Sequence, residues 1–227
     1  QIRCTISLVS MSAKLVSWST TPDNKSLIEQ VAYTARVSNP ESQMIMERNE
    51  QLVKYLIRNH HWSPFEMVNI CLEIETTRDI ARQLLRHRSF SFQEFSQRYA
   101  KADTGFVFRE ARLQDTENRQ NSIETSDEIL SRGWVAQQLE VAEAARGAYA
   151  WAINNGVAKE QARAVLPEGM TRSRLYVNGT LRSWIHYIGL RSANGTQKEH
   201  RELARACADA IRPIFALIDS ANSVSDK

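Results

Sequence analysis

VNICLEIET, residues 68–76, alternates between apolar and polar side chains along its whole length. The apolar side consists of Val68, Ile70, Leu72 and Ile74. The opposite side carries Asn69, Cys71, Glu73 and Glu75. A period of two is the spacing of a β-strand. Polar residues on the second side indicate one solvated face, which is typical of an antiparallel sheet.

Apolar residues at helical spacing predict helices on both sides of this strand. The predicted helices are one that follows the turn at 21–24 and ends at Asn39-Pro40, then 49–59, 78–85, 126–155, 159–165, 181–190 and a last one from about 197. Further strands are predicted at 14–18, 104–109 and 173–177, and a loop at 113–125. The predicted fold class is therefore α+β, an antiparallel sheet packed with long helices.

Neither an internal repeat nor a linker divides the sequence, so residues 11–227 are predicted to form a single domain. Residues 1–10 precede Met11, a candidate start of the native chain. They are predicted to be added by the expression design or to be disordered.

Composition excludes several classes of protein. The chain has 29 Lys+Arg against 26 Asp+Glu, a net charge of +3, which does not by itself indicate nucleic-acid binding. Its cysteines, Cys4, Cys71 and Cys207, are odd in number and far apart, so neither a disulfide framework nor a zinc site is indicated. That usage favours a reducing, cytoplasmic location. No apolar run is long enough for a membrane helix. We therefore expect no metal, nucleic-acid or membrane partner.

RHRSFSFQEFSQRY, residues 86–99, combines cations with aromatic rings and small hydroxyls. Arg86, Arg88 and Arg98 carry flat, forked donors that suit phosphate. His87 is expected to add a fourth charge near neutral pH. The same residues also have a structural interpretation. Cations at the end of a helix complement its dipole, and alternating Ser and Phe fit a short half-buried strand. Spacing alone does not decide between the two.

The order Arg-His-Arg, Ser91, Glu94, Ser96 and Arg98-Tyr99 resembles the signature of the flavin-dependent thymidylate synthases. Further matching segments are Ala35–Ser38, His61–Glu66, Ala162–Pro167 and Leu190-Arg191. The resemblance covers residues 14–218, nearly the whole chain. Gln93 stands where the family usually has Asn, and residues 178–182 match only loosely.

The resemblance implies an enzyme that methylates dUMP reductively to dTMP. Methylenetetrahydrofolate would supply the carbon, and FAD reduced by NADPH would supply the hydride. FAD would contact Ser38, Ser63, Arg86, His87, Arg88, Glu94, Arg182 and His186. The substrate dUMP would contact Gln83, Arg86, Glu94, Ser96, Gln97, Arg98, Arg163 and Arg191. The family also implies a homotetramer whose active sites are shared between subunits.

Arg191 is the catalytic residue that the resemblance implies. An arginine stays charged, so it cannot be a general base; it would stabilise negative charge on the pyrimidine. A Rossmann phosphate loop is excluded, because no two of the 8 Gly are separated by one residue. Neither Cys71 nor Cys207 lies in a pattern of basic residues that would lower its pKa, which disfavours a cysteine mechanism. Ser96 lacks an evident paired base, so it is predicted to be a ligand rather than a nucleophile.

Two other functions remain open on the sequence alone. The arginines and aromatic rings of residues 86–99 are compatible with a module that binds single-stranded nucleic acid. The low net charge and the lack of a dispersed basic face argue against it. The third possibility is a flavoprotein reductase with a different substrate.

Overall fold

The alternating segment forms a strand whose apolar side is fully buried. In the computed structural model, which describes residues 11–45 and 47–219, the strand is Asn69–Thr77. Ile70, Leu72 and Ile74 are each 0% exposed, whereas Asn69 and Glu75 are exposed. The predicted strand and its two faces are confirmed. The prediction for residues 1–10 lies outside the described residues.

The described residues form six strands. These are β1 (Ser12–Trp18), β2 (Asn69–Thr77), β3 (Phe90–Glu94), β4 (Arg112–Gln114), β5 (Ser122–Glu124) and β6 (Arg172–Thr180). Four of them form one sheet in the order β1-β2-β6-β3. The alternating Ser and Phe residues thus do form a strand, β3. The strand predicted at 173–177 is also present, but β6 is longer at both ends.

The described residues also form eight α-helices. These are α1 (Leu27–Ala35), α2 (Pro40–Gln43), α3 (Asn49–Arg58), α4 (Arg78–Leu84), α5 (Glu128–Asn154), α6 (Lys159–Ala162), α7 (Leu181–Ser192) and α8 (Lys198–Ile211). Short 3-10 helices cover Ser63–Met67 and Arg163–Val165. The predicted fold class, α+β with an antiparallel sheet and long helices, is confirmed. No helix of the described ranges is both long and apolar enough to cross a bilayer.

The chain packs as two compact units, each built from segments that are distant in sequence. Unit 1 contains Glu75–Arg86 and Glu94–Leu175, together with Met11. Unit 2 contains Ser12–Ile74, His87–Gln93 and the residues from Tyr176 onward. That residues 11–227 act as a single domain stays a prediction.

Helix α5 organises the core of unit 1. Its Asp127 N-cap accepts a hydrogen bond from the Leu130 N–H, which satisfies one of the free donors of the first turn. Its buried face packs with aromatic and aliphatic side chains of segments that precede and follow the helix. The cluster includes Phe106, Phe108, Ala142, Ala145, Tyr149, Ala162 and Met170.

Two predictions for unit 1 are wrong. Residues 104–109 form no regular strand. Side chains of α5 bond the backbone at Ala102, just before the segment, and at Arg109, its last residue. The Tyr149 hydroxyl accepts from the Ala102 N–H, and the Gln138 amide bonds both the N–H and the carbonyl of Arg109. Residues 113–125 are not simply a loop, because β4 and β5 pair antiparallel with Leu113 opposite Ile123.

Helices α7 and α8 pack together in unit 2, and α8 also packs on β1. Thr180 caps α7 by accepting from the Ser183 N–H. Trp184 of α7 is fully buried, and its Nε1–H donates to the Ile70 carbonyl of β2 at 3.0 Å. This hydrogen bond fixes α7, which carries three of the predicted site residues, against the sheet.

Candidate active site

The two compact units divide the predicted site residues between them. Unit 1 holds Gln83, Arg86, Glu94, Ser96, Gln97, Arg98 and Arg163. Unit 2 holds Ser38, Ser63, His87, Arg88, Arg182, His186 and Arg191. The predicted dUMP contacts other than Arg191 therefore lie in unit 1. The predicted FAD contacts other than Arg86 and Glu94 lie in unit 2.

Arg86 and Arg88 are exposed cations. Helix α4 ends at Leu84, and the Arg86 N–H bonds the Gln83 carbonyl in the turn that follows. Within the described part of the chain, neither guanidinium group makes a hydrogen bond or an ion pair. Both keep their donors available for an anionic ligand.

In unit 2, the Nε–H of Arg191 donates a hydrogen bond to Nε2 of His87, and the two nitrogens are 2.9 Å apart. The Tyr187 ring stands edge-on to the His87 ring, with 5.0 Å between centroids. Burial, together with the nearby charge of Arg191, lowers the pKa of His87 to about 4. The imidazole is therefore neutral at physiological pH, and the expectation of a fourth positive charge at His87 is wrong.

The beginning of α7 carries a second arginine in a different environment. Arg182 Nη1 donates to Glu66 Oε1 at 2.7 Å, and the Thr180 hydroxyl donates to Glu66 Oε2 at 2.8 Å. One turn along the helix, His186 stands edge-on to Trp62, with 4.6 Å between ring centroids. Burial, followed by the charge of Arg182, lowers the pKa of His186. This end of α7 thus holds a compensated cation beside a half-buried neutral ring.

Two predicted hydroxyls lie on other elements of unit 2. Ser38 is in the turn that follows α1, and Ser63 is the first residue of the 3-10 helix Ser63–Met67. Both are exposed. Helices α1 and α7 both pack against this 3-10 helix. Ser63 therefore lies on an element that contacts α7, and Ser38 follows an element that contacts the same 3-10 helix.

Glu94, the last residue of β3, is held by two partners in unit 1. The Ser173 hydroxyl donates to Glu94 Oε1 at 2.6 Å, and the Arg78 guanidinium lies 3.5 Å from the same oxygen. Ser173 itself is buried, at 5% exposed. The carboxylate is therefore oriented before any ligand binds.

The turn after β3 carries Ser96, Gln97 and Arg98, and the 3-10 helix Arg163–Val165 begins with Arg163. The Arg98 N–H bonds the Ser96 hydroxyl, and the Arg98 side chain lies 3.6 Å from Glu160. Arg163 is half-buried, and its Nε donates to the Glu160 carbonyl. Gln97 is only 4% exposed, unlike its neighbours. Arg98 and Arg163 therefore both contact Glu160, Arg98 at the carboxylate and Arg163 at the backbone carbonyl.

Comparison with known proteins decides the family. The family model described as thymidylate synthase complementing protein matches residues 14–215. A probable flavin-dependent thymidylate synthase of Paramecium bursaria Chlorella virus 1 is 46% identical over 213 residues, 93% of this chain and 98% of the relative. The flavin-dependent thymidylate synthase of a Synechocystis species is 47% identical over 191 residues, 84% of this chain and 87% of the relative. The chain belongs to the flavin-dependent thymidylate synthase family.

A solved structure supports the fold of this flavin-dependent thymidylate synthase family member. The UMP/dUMP methylase PolB from Streptomyces cacaoi, crystallised with 5-Br dUMP, superposes with a TM-score of 0.82 at 26% identity. The match covers 96% of this chain and 97% of that one. The predicted family and the predicted class of enzyme, an FAD-dependent thymidylate synthase, are both confirmed.

The donor groups of this flavin-dependent thymidylate synthase family member fit an anionic flavin cofactor. The guanidinium groups of Arg88 in unit 2 and of Arg86 in unit 1 have no partner among the described residues. The Nε of Arg182 is a buried nitrogen with no hydrogen-bond partner there either. A buried donor without an acceptor is costly, so a ligand oxygen that accepts from it would be favoured.

Sequence reasoning missed the residues that hold these side chains in place. Glu66 ends the matched segment His61–Glu66, so its acidic character was visible but its partner Arg182 was not. Ser173, which binds Glu94, is separated from it by 79 residues. Tyr187 and His200, whose rings lie beside His87, carry no local signal in the sequence that connects them with it. Only the packing of distant segments identifies them.

Proposed function

We propose that the chain converts dUMP to dTMP by reductive methylation, with methylenetetrahydrofolate as the carbon donor and FAD reduced by NADPH as the hydride source. The observation that carries the proposal is a set of arginines without carboxylate partners among the described residues, Arg86, Arg88 and Arg191. Arg78 and Arg109 pair with acidic groups, whereas arginines elsewhere, such as Arg58 and Arg205, also have no such partner among the described residues. The place of Arg86, Arg88 and Arg191 within the matched segments therefore supports the proposal together with their lack of carboxylate partners. Uncompensated guanidinium groups suit a site that receives anionic ligands.

Side chains, rather than a glycine-rich loop, would hold the flavin. FAD would accept a hydride and pass it on, chemistry that no amino-acid side chain supplies. Arg86 and Arg88 would bind its negative groups, and the buried Nε of Arg182 would donate to one of its oxygens. The remaining proposed contacts are Ser38, Ser63, His87, Glu94 and His186. We expect these contacts to orient the cofactor and to exclude water from it.

Three of the proposed dUMP contacts, Ser96, Gln97 and Arg98, lie in the turn after β3. Arg98 would bind the phosphate, since its present partner Glu160 lies 3.6 Å away and both side chains are more than half exposed. An exposed pair of this kind contributes at most about 1 kcal/mol, so a phosphate can displace it. Glu94, fixed by Ser173, would accept from a ligand donor. The other proposed contacts are Gln83, Arg86, Ser96, Gln97, Arg163 and Arg191.

Arg191 is the proposed catalytic residue. It cannot accept a proton, because a guanidinium stays charged at any pH the protein tolerates. Its fixed charge would stabilise negative charge that develops on the pyrimidine as C5 becomes nucleophilic. Its position in the last turn of α7, held by His87, gives it a defined orientation before substrate arrives.

Addition of dUMP to the flavin-loaded protein tests the proposal first. We expect the visible flavin absorption band to shift when dUMP is added, and dTMP to form when methylenetetrahydrofolate and NADPH are present. Arg191→Ala should abolish dTMP formation while flavin stays bound. Arg119→Ala is the control, because Arg119 is exposed between β4 and β5 and its side chain has no partner among the described residues. Retained turnover in Arg191→Ala would disprove its role. A flavin spectrum indifferent to dUMP would favour a reductase with a different substrate.

We also propose a homotetramer with shared active sites. Helix α5 supports this, because it exposes large apolar side chains along its length. They are Ile129, Leu130, Trp134, Val141 and Trp151. Exposed aromatic and aliphatic groups in such number are typical of contact surfaces. Light scattering would give the mass in solution. Mixing inactive Arg191→Ala with inactive Arg98→Ala would restore activity only if different subunits supply the two residues.

A further inference from the structure

Arg191 and Arg182 lie on the same helix, α7, but they have different partners. Arg182 at its beginning pairs with the carboxylate of Glu66. Arg191 at its end has the His87 ring as its partner, and no carboxylate of the described residues pairs with it. The helix therefore carries one compensated guanidinium and one whose charge is unopposed.

The geometry fixes the protonation of His87. An arginine can only donate hydrogen bonds, so the His87 Nε2 that lies 2.9 Å from Arg191 Nε must carry no proton. The single proton of a neutral imidazole then resides on Nδ1. A protonated His87 would lose this hydrogen bond and place a second positive charge beside Arg191.

Buried neighbours keep His87 in that state. The Tyr187 ring, 1% exposed, stands edge-on to it, and the fully buried His200 ring lies 6.5 Å away, centroid to centroid. The Tyr187 hydroxyl and His200 Nε2 are 3.2 Å apart, which ties these two groups to each other. Burial raises the pKa of Tyr187 and lowers the pKa of His200 to about 3, so neither adds a charge next to His87 at neutral pH.

We propose that His87 is a positioning residue that orients Arg191 through an uncharged acceptor, so that the guanidinium keeps its full positive charge for the substrate. A carboxylate at this place would orient Arg191 equally well, but it would cancel the charge. Preorganised charge in a partly buried site acts strongly on a developing anion. This role rests on the function proposed above and adds to it a requirement for neutrality at position 87.

Three substitutions at His87 separate orientation from charge. His87→Gln keeps a neutral acceptor, His87→Glu supplies a charged acceptor of the same size as Gln, and His87→Leu removes the acceptor. We expect His87→Glu and His87→Leu to lower kcat by about 100-fold, the loss typical of one electrostatic stabiliser, with a smaller change in KM for dUMP. His87→Gln should retain kcat to within about 10-fold of the wild type. Flavin absorbance of each variant checks that the cofactor still binds.

The comparison of Gln with Glu is decisive, because the two side chains have the same shape. Equal loss in both variants, with flavin bound, would overturn the proposal, since a purely structural role would treat them alike. Full activity of His87→Glu would overturn it as well. A kcat for His87→Leu near that of the wild type would show that no acceptor is needed.

Histidine NMR keeps the inference testable if a variant does not fold or if the wild type forms no dTMP. With ¹⁵N-labelled histidine, the wild-type His87 should show an unprotonated Nε2 and a protonated Nδ1 from pH 8 down to about pH 5. The chain has 5 His, so the spectrum of His87→Gln assigns the signal. Titration of His87 near its ordinary pKa would overturn the proposal. Absence of dTMP formation together with the expected NMR signal would refute the reaction alone.

Discussion

Burial of His200 is expected to make the folded chain less stable in mild acid. His200 is 0% exposed, and burial, followed by the charges of Arg191 and His87, lowers its pKa from 6.5 to about 3. The unfolded chain therefore binds a proton at pH 5 that the folded chain does not. The contribution of neutral His200 to the free energy of unfolding is fully present above the unfolded pKa of 6.5. It falls as the pH drops toward 3, the pKa of His200 in the folded chain.

The size of this effect follows from the two pKa values. Between pH 7 and pH 5, protonation of His200 in the unfolded chain alone lowers the free energy of unfolding by about 2 kcal/mol. In a variant without a titratable group at position 200, the free energy of unfolding should lack this decrease of about 2 kcal/mol between pH 7 and pH 5. His200→Gln is suited to this, because its amide can still reach the Tyr187 hydroxyl. The pH dependence that arises from His87 remains in both proteins.

Urea unfolding at pH 7 and at pH 5 measures the effect. We expect the wild type to lose about 2 kcal/mol more than His200→Gln between these two values. The comparison of differences removes the cost of the substitution itself, which is the same at both pH values. An equal loss in the two proteins would refute the assignment of a neutral, buried His200.

Two further changes test the packing of unit 2. Gly179→Ala should lower the free energy of unfolding by about 1–3 kcal/mol, because a Cβ there would overlap the Phe90 ring. Gly133→Ala on α5 is its control, since no atom lies within 4 Å of that Cβ, and a gain of about 0.5–1 kcal/mol is expected in thermal unfolding. Trp184→Phe should cost about 1–3 kcal/mol, because the buried Ile70 carbonyl loses its donor. A Trp184→Phe variant as stable as the wild type would show that this hydrogen bond contributes nothing.

Local patterns in the sequence were sufficient for the main elements. The alternation at residues 68–76 predicts β2 because one face of that strand is buried and the other is not. The predicted helix 126–155 differs from α5 by two residues at its beginning and one at its end. Each of these signals lies within the segment that it describes.

The failures depended on partners that are distant in sequence. Residues 104–109 have the composition of a strand, but Gln138 and Tyr149 of α5 satisfy the adjacent backbone. The hairpin of β4 and β5 is short and exposed, and its one apolar pair, Leu113 and Ile123, gives no alternating pattern along the sequence. The charge of His87 could not be read from its neighbours, because Arg191, 104 residues away, and burial together decide its pKa.

The matched segments predicted which residues form the site but not how each is held. Glu94 was predicted from the motif, whereas its dependence on Ser173 required the structure. Arg182 and Arg191 were both predicted as arginines of one site. Arg182 pairs with the carboxylate of Glu66, whereas Arg191 bonds the neutral ring of His87. These partners come from two different segments, so the sequence does not show the difference.

The length of α7 has a consequence for how this chain can change by insertion and deletion. Arg191 is nine positions after Arg182, which sets them about 13–14 Å apart along the helix axis. One residue added between them would turn Arg191 by about 100° around that axis, away from His87, while Arg182 kept its place beside Glu66. The interval from Arg182 to Arg191 should therefore tolerate many substitutions but no change of length, whereas the exposed hairpin of β4 and β5 can lengthen or shorten freely.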